Sequence, residues 1–260
     1  MADETVTGLL RRCVERHPDR PFLDLSGEVY TYADVWQRSL DVAGGLSALG
    51  VRPGQTVVSM QDTHIDGVAS WFGANVLGAI WVGTNTALKG EFLRHVVTDA
   101  DAAVVICEPD FVERFTAIED SLHRVETILH RGTALDWSSS LRIEPFAAHR
   151  APLTAVHAAT PDDLTCLTYT GGTTGPSKGC MVPHGYAVNI ARRGLIQTQR
   201  TTEELNWNPL PMFHLNVLAM TIVATMAVGG TAALSPRFSV SGFWPEMERT
   251  GARVVNLIGG

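Results

Sequence analysis

A short glycine- and threonine-rich segment, residues 167–179, has the composition of a loop that binds polyphosphate. It reads Leu-Thr-Tyr-Thr-Gly-Gly-Thr-Thr-Gly-Pro-Ser-Lys-Gly. Glycine lets backbone N–H groups approach phosphate oxygens closely, and the hydroxyls of Thr170, Thr173 and Thr174 can donate further hydrogen bonds. Lys178 supplies a mobile positive charge for the outer phosphates. These residue types favour nucleotide chemistry, with an ordinary glycine-rich turn as the alternative.

Two better-known phosphate loops do not match this segment. A Walker loop requires Gly-Lys followed by Ser or Thr, whereas Lys178 is preceded by a serine and followed by a glycine. The dinucleotide fingerprint requires Gly-x-Gly-x-x-Gly, a spacing that Gly171, Gly172 and Gly175 do not have. The segment therefore predicts a phosphate-binding loop of another type.

Other catalytic signatures are missing from the sequence. There is no Gly-x-Ser-x-Gly elbow for a serine hydrolase and no His-Glu-x-x-His metal motif. The four cysteines lie far apart without metal-ligand spacing, and we expect reduced, buried thiols and no metal site. The acidic pairs at 162–163 and 203–204 are predicted to be solvated loop or cap residues rather than acid–base couples.

Charge and hydropathy narrow the class of protein further. The 260 residues carry a formal net charge of −7 without a lysine or arginine run, which argues against nucleic-acid binding. Residues 217–234 are uncharged, but Gly229 and Gly230 interrupt them, so a buried helix followed by a strand is predicted instead of a membrane span. The N-terminus shows no apolar signal segment, and the predicted location is cytoplasmic.

Helical and strand patterns alternate along the chain. Thr31 and Asp34 are predicted to form a capping box before an amphipathic helix that ends near Gly50. Strands are predicted at 56–60, 80–82, 103–107, 127–129 and 165–169, and helices at 66–77, 91–97, after Pro109 and at 186–197. The alternation predicts an α/β fold of layered sheets flanked by helices.

The segment 170–179 resembles the phosphate loop of the adenylate-forming superfamily, which comprises acyl-CoA synthetases, luciferases and peptide-synthetase adenylation domains. Gly171 stands where that family commonly has serine, and Ser177 stands where it commonly has proline. Further segments resemble the family in the same order, at 30–34, 49–54, 77–82, 208–214 and 229–239. The resemblance covers nearly the whole chain and implies the N-terminal domain of the acyl-CoA synthetase-like fold.

The resemblance implies a two-step reaction. A carboxylate attacks the α-phosphorus of Mg-ATP to give an acyl-adenylate and pyrophosphate, and the thiol of CoA then displaces AMP. We therefore expect ATP, Mg²⁺ and CoA as cofactors and a small carboxylic acid as substrate. The resemblance assigns phosphate binding to Thr170, Gly171, Gly172, Thr173, Thr174, Gly175 and Lys178. Of these, Thr174 and Lys178 are expected to be catalytic.

The sequence predicts different roles for two of the histidines. His214 follows Phe213 within the segment 208–214, and the resemblance implies that both residues lie beside the acyl substrate. An isolated Phe-His pair is otherwise typical of core packing. His184 matches a family histidine after the phosphate loop, and a structural role is favoured for it.

The resemblance also implies that parts of the enzyme lie outside this chain. The family's adenine- and Mg-binding Thr-Glu segment, ribose-binding Asp, hinge and late catalytic lysine do not occur before Gly260. We therefore expect residues 1–260 to form a truncated N-terminal domain, inactive alone in thioester formation, without the mobile C-terminal domain. Periodicity fades over residues 131–163, where surface connections are predicted, so subregions of about 1–163 and 164–260 are expected.

Residues 82–87, Val-Gly-Thr-Asn-Thr-Ala, indicate the branch of the family. They favour acyl-CoA ligases over peptide synthetases and most resemble the carnitine/crotonobetaine-CoA ligase type. Two alternatives stay open. One is an adenylating enzyme that passes an acyl or aminoacyl group to a carrier-protein thiol, and the other is a non-catalytic fragment. An oligomer is compatible with the sequence.

Overall fold

Two mixed β-sheets organise the chain, and helices pack on both. The computed structural model describes residues 4–134, 136–153, 155–170 and 176–257. The strands are β1 (Pro21–Leu25), β2 (Glu28–Thr31), β3 (Thr56–Met60), β4 (Ile80–Gly83), β5 (Val104–Cys107), β6 (Thr127–His130), β7 (Arg142–Pro145), β8 (Leu164–Thr170), β9 (Lys178–Pro183), β10 (Asn206–Asn208), β11 (Ala232–Leu234) and β12 (Val254–Val255).

The helices differ widely in length. They are α1 (Val6–Arg16), α2 (Tyr32–Ala48), α3 (Ile65–Leu77), α4 (Gly90–Asp99), α5 (Val112–Thr116), α6 (His184–Thr198), α7 (Ala224–Val228) and α8 (Phe243–Thr250). A π-helical segment, Asn216–Val223, leads directly into α7. Short 3₁₀ turns lie at Pro109–Phe111, Glu119–Ser121 and Phe146–His149.

The larger sheet carries a common edge at which its parallel strands end. Its order is β7-β6-β5-β3-β4-β8-β9, and only the β8–β9 pair is antiparallel. The smaller sheet has the order β12-β10-β11-β1-β2, with β1–β2 as its antiparallel pair. Ligands of open α/β sheets bind outside the carboxyl ends of the parallel strands. In the larger sheet these ends follow Met60, Gly83, Cys107, His130 and Thr170.

The predicted α/β architecture is confirmed, including its local signals. The Asp34 N–H donates to the Thr31 hydroxyl oxygen at 3.1 Å, and the Thr31 N–H donates to the Asp34 carboxylate at 2.9 Å. Hydrogen bonds from the Thr31 backbone and side chain lower the pKa of Asp34. Gly50 follows helix α2 with φ +91°, the left-handed conformation that favours glycine.

The uncharged stretch 217–234 forms the predicted buried helix followed by a strand. The π-helical segment and α7 are largely buried, and β11 follows after Gly229, which has φ +66°. Across the described ranges, no helix combines the length and the apolarity needed to cross a membrane.

Some elements differ from the sequence predictions. Residues 131–163 contain strand β7 rather than surface connections alone, because Arg142–Pro145 pairs with the edge of β6. Helix α1 and strands β1, β2, β9 and β10 were not predicted either. Strand pairing also crosses residue 163 in both sheets, since β1 pairs with β11 and β4 pairs with β8. Each sheet therefore combines residues from both predicted subregions.

A glycine pair in α2 lets another chain segment pack directly on this helix. A Cβ atom built on Gly45 would lie 1.4 Å from the carbonyl oxygen of His149, and one on Gly44 would lie 1.8 Å from that of Ala151. The Ala151 N–H donates to the Asp41 carbonyl at 3.0 Å. Glycine costs about 1 kcal/mol relative to alanine inside a helix, so close packing explains the pair.

Gly45→Ala is expected to destabilise the fold by about 2 kcal/mol or more, because overpacking against a backbone carbonyl outweighs the gain in helix propensity. Denaturant unfolding followed by tryptophan fluorescence measures the effect. Ser47→Ala in the same helix is the control, with a change within about 0.5 kcal/mol. A Gly45→Ala protein as stable as the wild type would contradict this packing.

Candidate functional site

The stem of the candidate phosphate loop is the antiparallel hairpin of β8 and β9. Thr170 pairs with Lys178, and Tyr169 pairs with Gly179. Thr170 and Lys178 are both exposed. Five predicted phosphate-binding residues lie outside the described part of the chain: Gly171, Gly172, Thr173, Thr174 and Gly175. Their assignment, including the catalytic role of Thr174, stays a prediction.

The pleat of β8 decides which way the stem residues face. Alternate residues of a strand point to opposite sides of the sheet. Leu167 and Tyr169 pack against the apolar cluster under α4, whereas Cys166 belongs to the cluster formed with α3 on the other side. Thr170 therefore projects to the α3 side. Lys178 is its cross-strand partner and projects to the same side.

The segment that holds Phe213 crosses the same edge of the sheet. A Cβ atom on Gly83, the last residue of β4, would lie 3.0 Å from the Cα of Phe213. Gly83 pairs with Thr168 of β8. Phe213 therefore lies beside the strand that leads into the candidate loop, and the structure brings two separately predicted parts of the site to one edge.

His214 is exposed, in contrast to the core-packing alternative for a Phe-His pair. The centroid of its ring lies 4.4 Å from that of the Phe213 ring. Partial desolvation lowers the pKa of His214, so its imidazole is neutral at pH 7. Met212 anchors the segment in the apolar cluster on the α3 side, toward which the stem residues project. Substrate contact for His214 and Phe213 stays a prediction.

His184 has structural contacts, as favoured from the sequence. Its side chain is 2% exposed, and its Nδ1 atom accepts the Val6 N–H at 3.2 Å. The neutral imidazole thereby caps the first turn of α1 from the start of α6. Burial lowers the pKa of His184 to about 4, because desolvation disfavours the charged form.

A buried carboxylate that sequence reasoning did not single out joins three strand ends. Glu108 accepts a hydrogen bond from Nε2 of His64 at 2.8 Å, from Nε of Arg131 at 2.7 Å and from the Asp62 N–H at 3.1 Å. Burial alone would raise the pKa of Glu108, but the bonds from His64 and Arg131 outweigh it, and the pKa is lowered. Burial and the charge of Glu108 raise the pKa of Asp62. No local motif marks these partners, which follow different strands.

The acidic pairs lie in exposed turns as predicted, whereas the prediction of buried thiols is correct for three of the four cysteines. Asp163 accepts from the Thr160 N–H at 2.6 Å, and Glu204 accepts from the Thr201 N–H at 2.6 Å, so both carboxylates cap exposed turns. All four cysteines are free, and three are buried, whereas Cys180 is exposed instead of buried because it lies on the edge strand β9. In the ranges that the structure describes, no three His, Cys, Asp or Glu side chains form a group that could hold a metal ion.

A family model for AMP-binding enzymes matches residues 10–259. The chain belongs to the AMP-binding enzyme family. A feruloyl-CoA synthase from Amycolatopsis sp is 29% identical over 221 residues, which cover 82% of this chain and 40% of the relative. A medium/long-chain fatty acid–CoA ligase from Mycobacterium tuberculosis is 29% identical over 245 residues, which cover 94% of this chain and 40% of the relative.

The fold of this AMP-binding family member also occurs in solved structures. An anthranilate CoA ligase in complex with anthranoyl-AMP superposes with a TM-score of 0.90 at 22% identity, covering 98% of this chain and 50% of that one. At this identity the likeness establishes the fold alone. The chain spans about two fifths of the length of the curated relatives named above.

The buried His184 is expected to make the stability of the chain pH dependent. Its pKa is about 4 in the folded state and close to the ordinary 6.5 in the unfolded state. Between these values the unfolded chain binds a proton that the folded chain does not. The neutral His184 therefore stabilises the fold fully above pH 6.5, and this contribution is lost as the pH falls toward 4. The free energy of unfolding should fall by on the order of 3 kcal/mol over this range.

Comparison with His184→Asn isolates this effect, because asparagine offers an acceptor to the Val6 N–H but does not titrate. The free energy of unfolding of both proteins is measured between pH 6.5 and 4. The wild type should lose more stability than the variant over this range. Parallel stability curves would contradict the assignment.

Proposed function

We propose that this chain supplies the phosphate-binding part of an ATP-dependent acid–thiol ligase, which converts a carboxylic acid into an acyl-adenylate and then into an acyl-CoA thioester. One observation carries the proposal. Thr170 and Lys178 project together from the mouth of a hairpin, at the carboxyl edge of a parallel sheet and on the side where the Phe213 segment lies. Membership of the AMP-binding family supports the nucleotide as ligand.

The first step requires positioning and charge neutralisation more than covalent chemistry from the protein. The carboxylate oxygen bonds to the α-phosphorus, the bond from the α-phosphorus to the bridging oxygen breaks, and pyrophosphate leaves. The ammonium group of Lys178 neutralises charge on the β- and γ-phosphates, and the hydroxyl of Thr170 donates to them. Backbone amides and the hydroxyls of Thr173 and Thr174 would donate further hydrogen bonds to these phosphates. Mg²⁺ would enter with ATP and neutralise its phosphates.

In the second step, the thiol loses its proton to solvent and its sulfur bonds to the acyl carbon, while the bond from that carbon to the phosphate oxygen breaks and AMP leaves with the bonding electrons. CoA is the proposed thiol, because the curated relatives include proteins named as feruloyl-CoA synthase and fatty acid–CoA ligase. The acyl group would lie against Phe213, where an apolar ring and a neutral His214 create a surface without charge. The resemblance of residues 82–87 to carnitine/crotonobetaine-CoA ligases makes such acids candidate substrates beside aromatic and fatty acids.

The lysine content of the chain allows a direct test of the phosphate contact. Lys89 and Lys178 are its two lysines, and both are exposed. After reductive methylation with ¹³C-formaldehyde, which keeps the positive charge, each lysine gives its own NMR signal. Inorganic triphosphate and Mg-ATP are expected to shift the Lys178 signal and to leave the Lys89 signal in place. Lys178→Arg and Lys89→Arg assign the two signals.

Lys178→Ala should lower triphosphate affinity and slow acid-dependent ATP–pyrophosphate exchange by about 100-fold, the usual cost of removing one preorganised charge donor. Lys89→Ala is the matched control and should exchange at the wild-type rate. Exchange at the wild-type rate in Lys178→Ala, or a ligand-induced NMR shift confined to the Lys89 signal, would contradict the assignment of Lys178 to phosphate binding.

The exchange assay can identify the acid, and an AMP-release assay can then identify the thiol. Aromatic acids, fatty acids and crotonobetaine are compared first, and the acid with the highest exchange rate is then tested for AMP release. We expect AMP release to depend on CoA. Release that requires a carrier-protein thiol would instead support the aminoacyl- or acyl-carrier alternative, and triphosphate binding without exchange would support a non-catalytic chain.

A further inference from the structure

We propose that helix α4 positions the candidate phosphate loop by holding both arms of the β8–β9 hairpin, through His95 and Asp99. The consequence for ATP binding rests on the proposed function, whereas the anchoring of the hairpin by α4 does not. His95 and Asp99 are positioning residues, since they act on Tyr169 and Ser177 of the stem and not on a phosphate.

The two contacts reach opposite arms of the hairpin. Nε2 of His95 donates to the carbonyl oxygen of Ser177 at 2.7 Å, directly before β9 begins at Lys178. The hydroxyl of Tyr169 in β8 donates to Oδ2 of Asp99 at 2.7 Å. Because a carbonyl oxygen can only accept, the imidazole carries a proton on Nε2. The pair Thr170–Lys178 is therefore flanked by the backbone carbonyl of Ser177 and the side chain of Tyr169, both held by α4.

Helix α4 is a rigid support for these contacts. His95 and Asp99 are four residues apart and thus lie on one face of the helix. Leu93, Val96 and Val97 are buried in the apolar core beneath it. Functional groups held by an element that is packed into the core are placed more accurately than groups held by a loop.

Tyr169 links the two anchors. Its ring meets the His95 ring edge-on, with centroids 6.5 Å apart. It also covers Gly179, where a Cβ atom would lie 3.0 Å from the Cζ of Tyr169, so a larger residue there would displace the ring. Burial and the bond to Asp99 raise the pKa of Tyr169, and the hydroxyl remains a donor at neutral pH.

Anchoring the stem has a direct consequence for the loop. The Ser177 carbonyl belongs to the peptide unit from which Lys178 continues, so its fixation restricts where the ammonium group can lie. Tyr169 restricts the backbone next to Thr170 in the same way. Misplacement of a binding group by about 1 Å can cost on the order of a hundredfold in rate. Loss of either anchor should therefore weaken phosphate binding without unfolding the sheet.

A lysine-specific endoproteinase measures the opening of the stem, because it can cleave this chain only after Lys89 and Lys178. In ligand-free protein, His95→Ala and Tyr169→Phe are expected to speed cleavage after Lys178 about tenfold, as follows from losing one hydrogen bond in a local opening equilibrium. Cleavage after Lys89 should not change. Tyr169→Phe keeps the ring and thus the packing.

Two further variants separate positioning from general stability. His95→Gln keeps a side-chain N–H donor and should restore slow cleavage after Lys178. Thr98→Ala removes a hydroxyl that bonds only to carbonyls of α4 itself and should behave as the wild type. By calorimetry, inorganic triphosphate should bind His95→Ala about tenfold more weakly and His95→Gln nearly as well as the wild type.

Unchanged cleavage after Lys178 in both His95→Ala and Tyr169→Phe would overturn the proposal. Equal acceleration after Lys89 and Lys178 would overturn it too, since α4 would then have loosened as a whole. If wild-type protein does not bind triphosphate, the proposed function fails, while cleavage of the ligand-free variants still decides whether α4 holds the stem.

Discussion

The antiparallel return of β9 along β8 is the constraint on which the candidate site depends. Every other pair in the larger sheet is parallel, so the chain leaves the carboxyl edge after each strand and comes back through a helix or a connection. Strand β9 instead runs back along β8, so Thr170 at the end of β8 and Lys178 at the start of β9 both lie at the edge where ligands of such sheets bind. The register that pairs Thr170 with Lys178 then sets the two ends of the loop opposite each other.

Close backbone approach at a few small residues makes this arrangement possible. Gly83 ends β4 without a side chain, and a Cβ atom there would lie 2.3 Å from the Trp81 ring and 3.0 Å from the Cα of Phe213. Gly179 leaves room for the Tyr169 ring in the same way. Gly45 allows the chain near His149 to lie on α2. At Gly45 and Gly83 the missing side chain lets segments that are distant in sequence come close, and at Gly179 it makes room for a ring from the neighbouring strand.

Buried polar groups at the same edge are satisfied by partners from several strands. Glu108 follows β5 and binds His64 after β3 and Arg131 after β6. A buried carboxylate without such partners would be costly, so these bonds join the strand ends that surround the site. The charge of Glu108, in a protein of net charge −7, is thereby paired with Arg131 at the edge of the candidate site.

Local signals were enough to predict the alternation of helices and strands, the capping box at Thr31 and a glycine-rich loop, because these signals depend on neighbours within one or two turns of chain. Strand β3 and the helix that follows it could be predicted for the same reason. The short strand β7 could not, since Arg142–Pro145 becomes a strand only through pairing with β6. The position of Phe213 beside Gly83, and the contacts of His95 and Asp99 with the hairpin, follow from the folded arrangement of distant segments. These contacts join residues 70 or more positions apart, and their strength comes from packing geometry that no local pattern records.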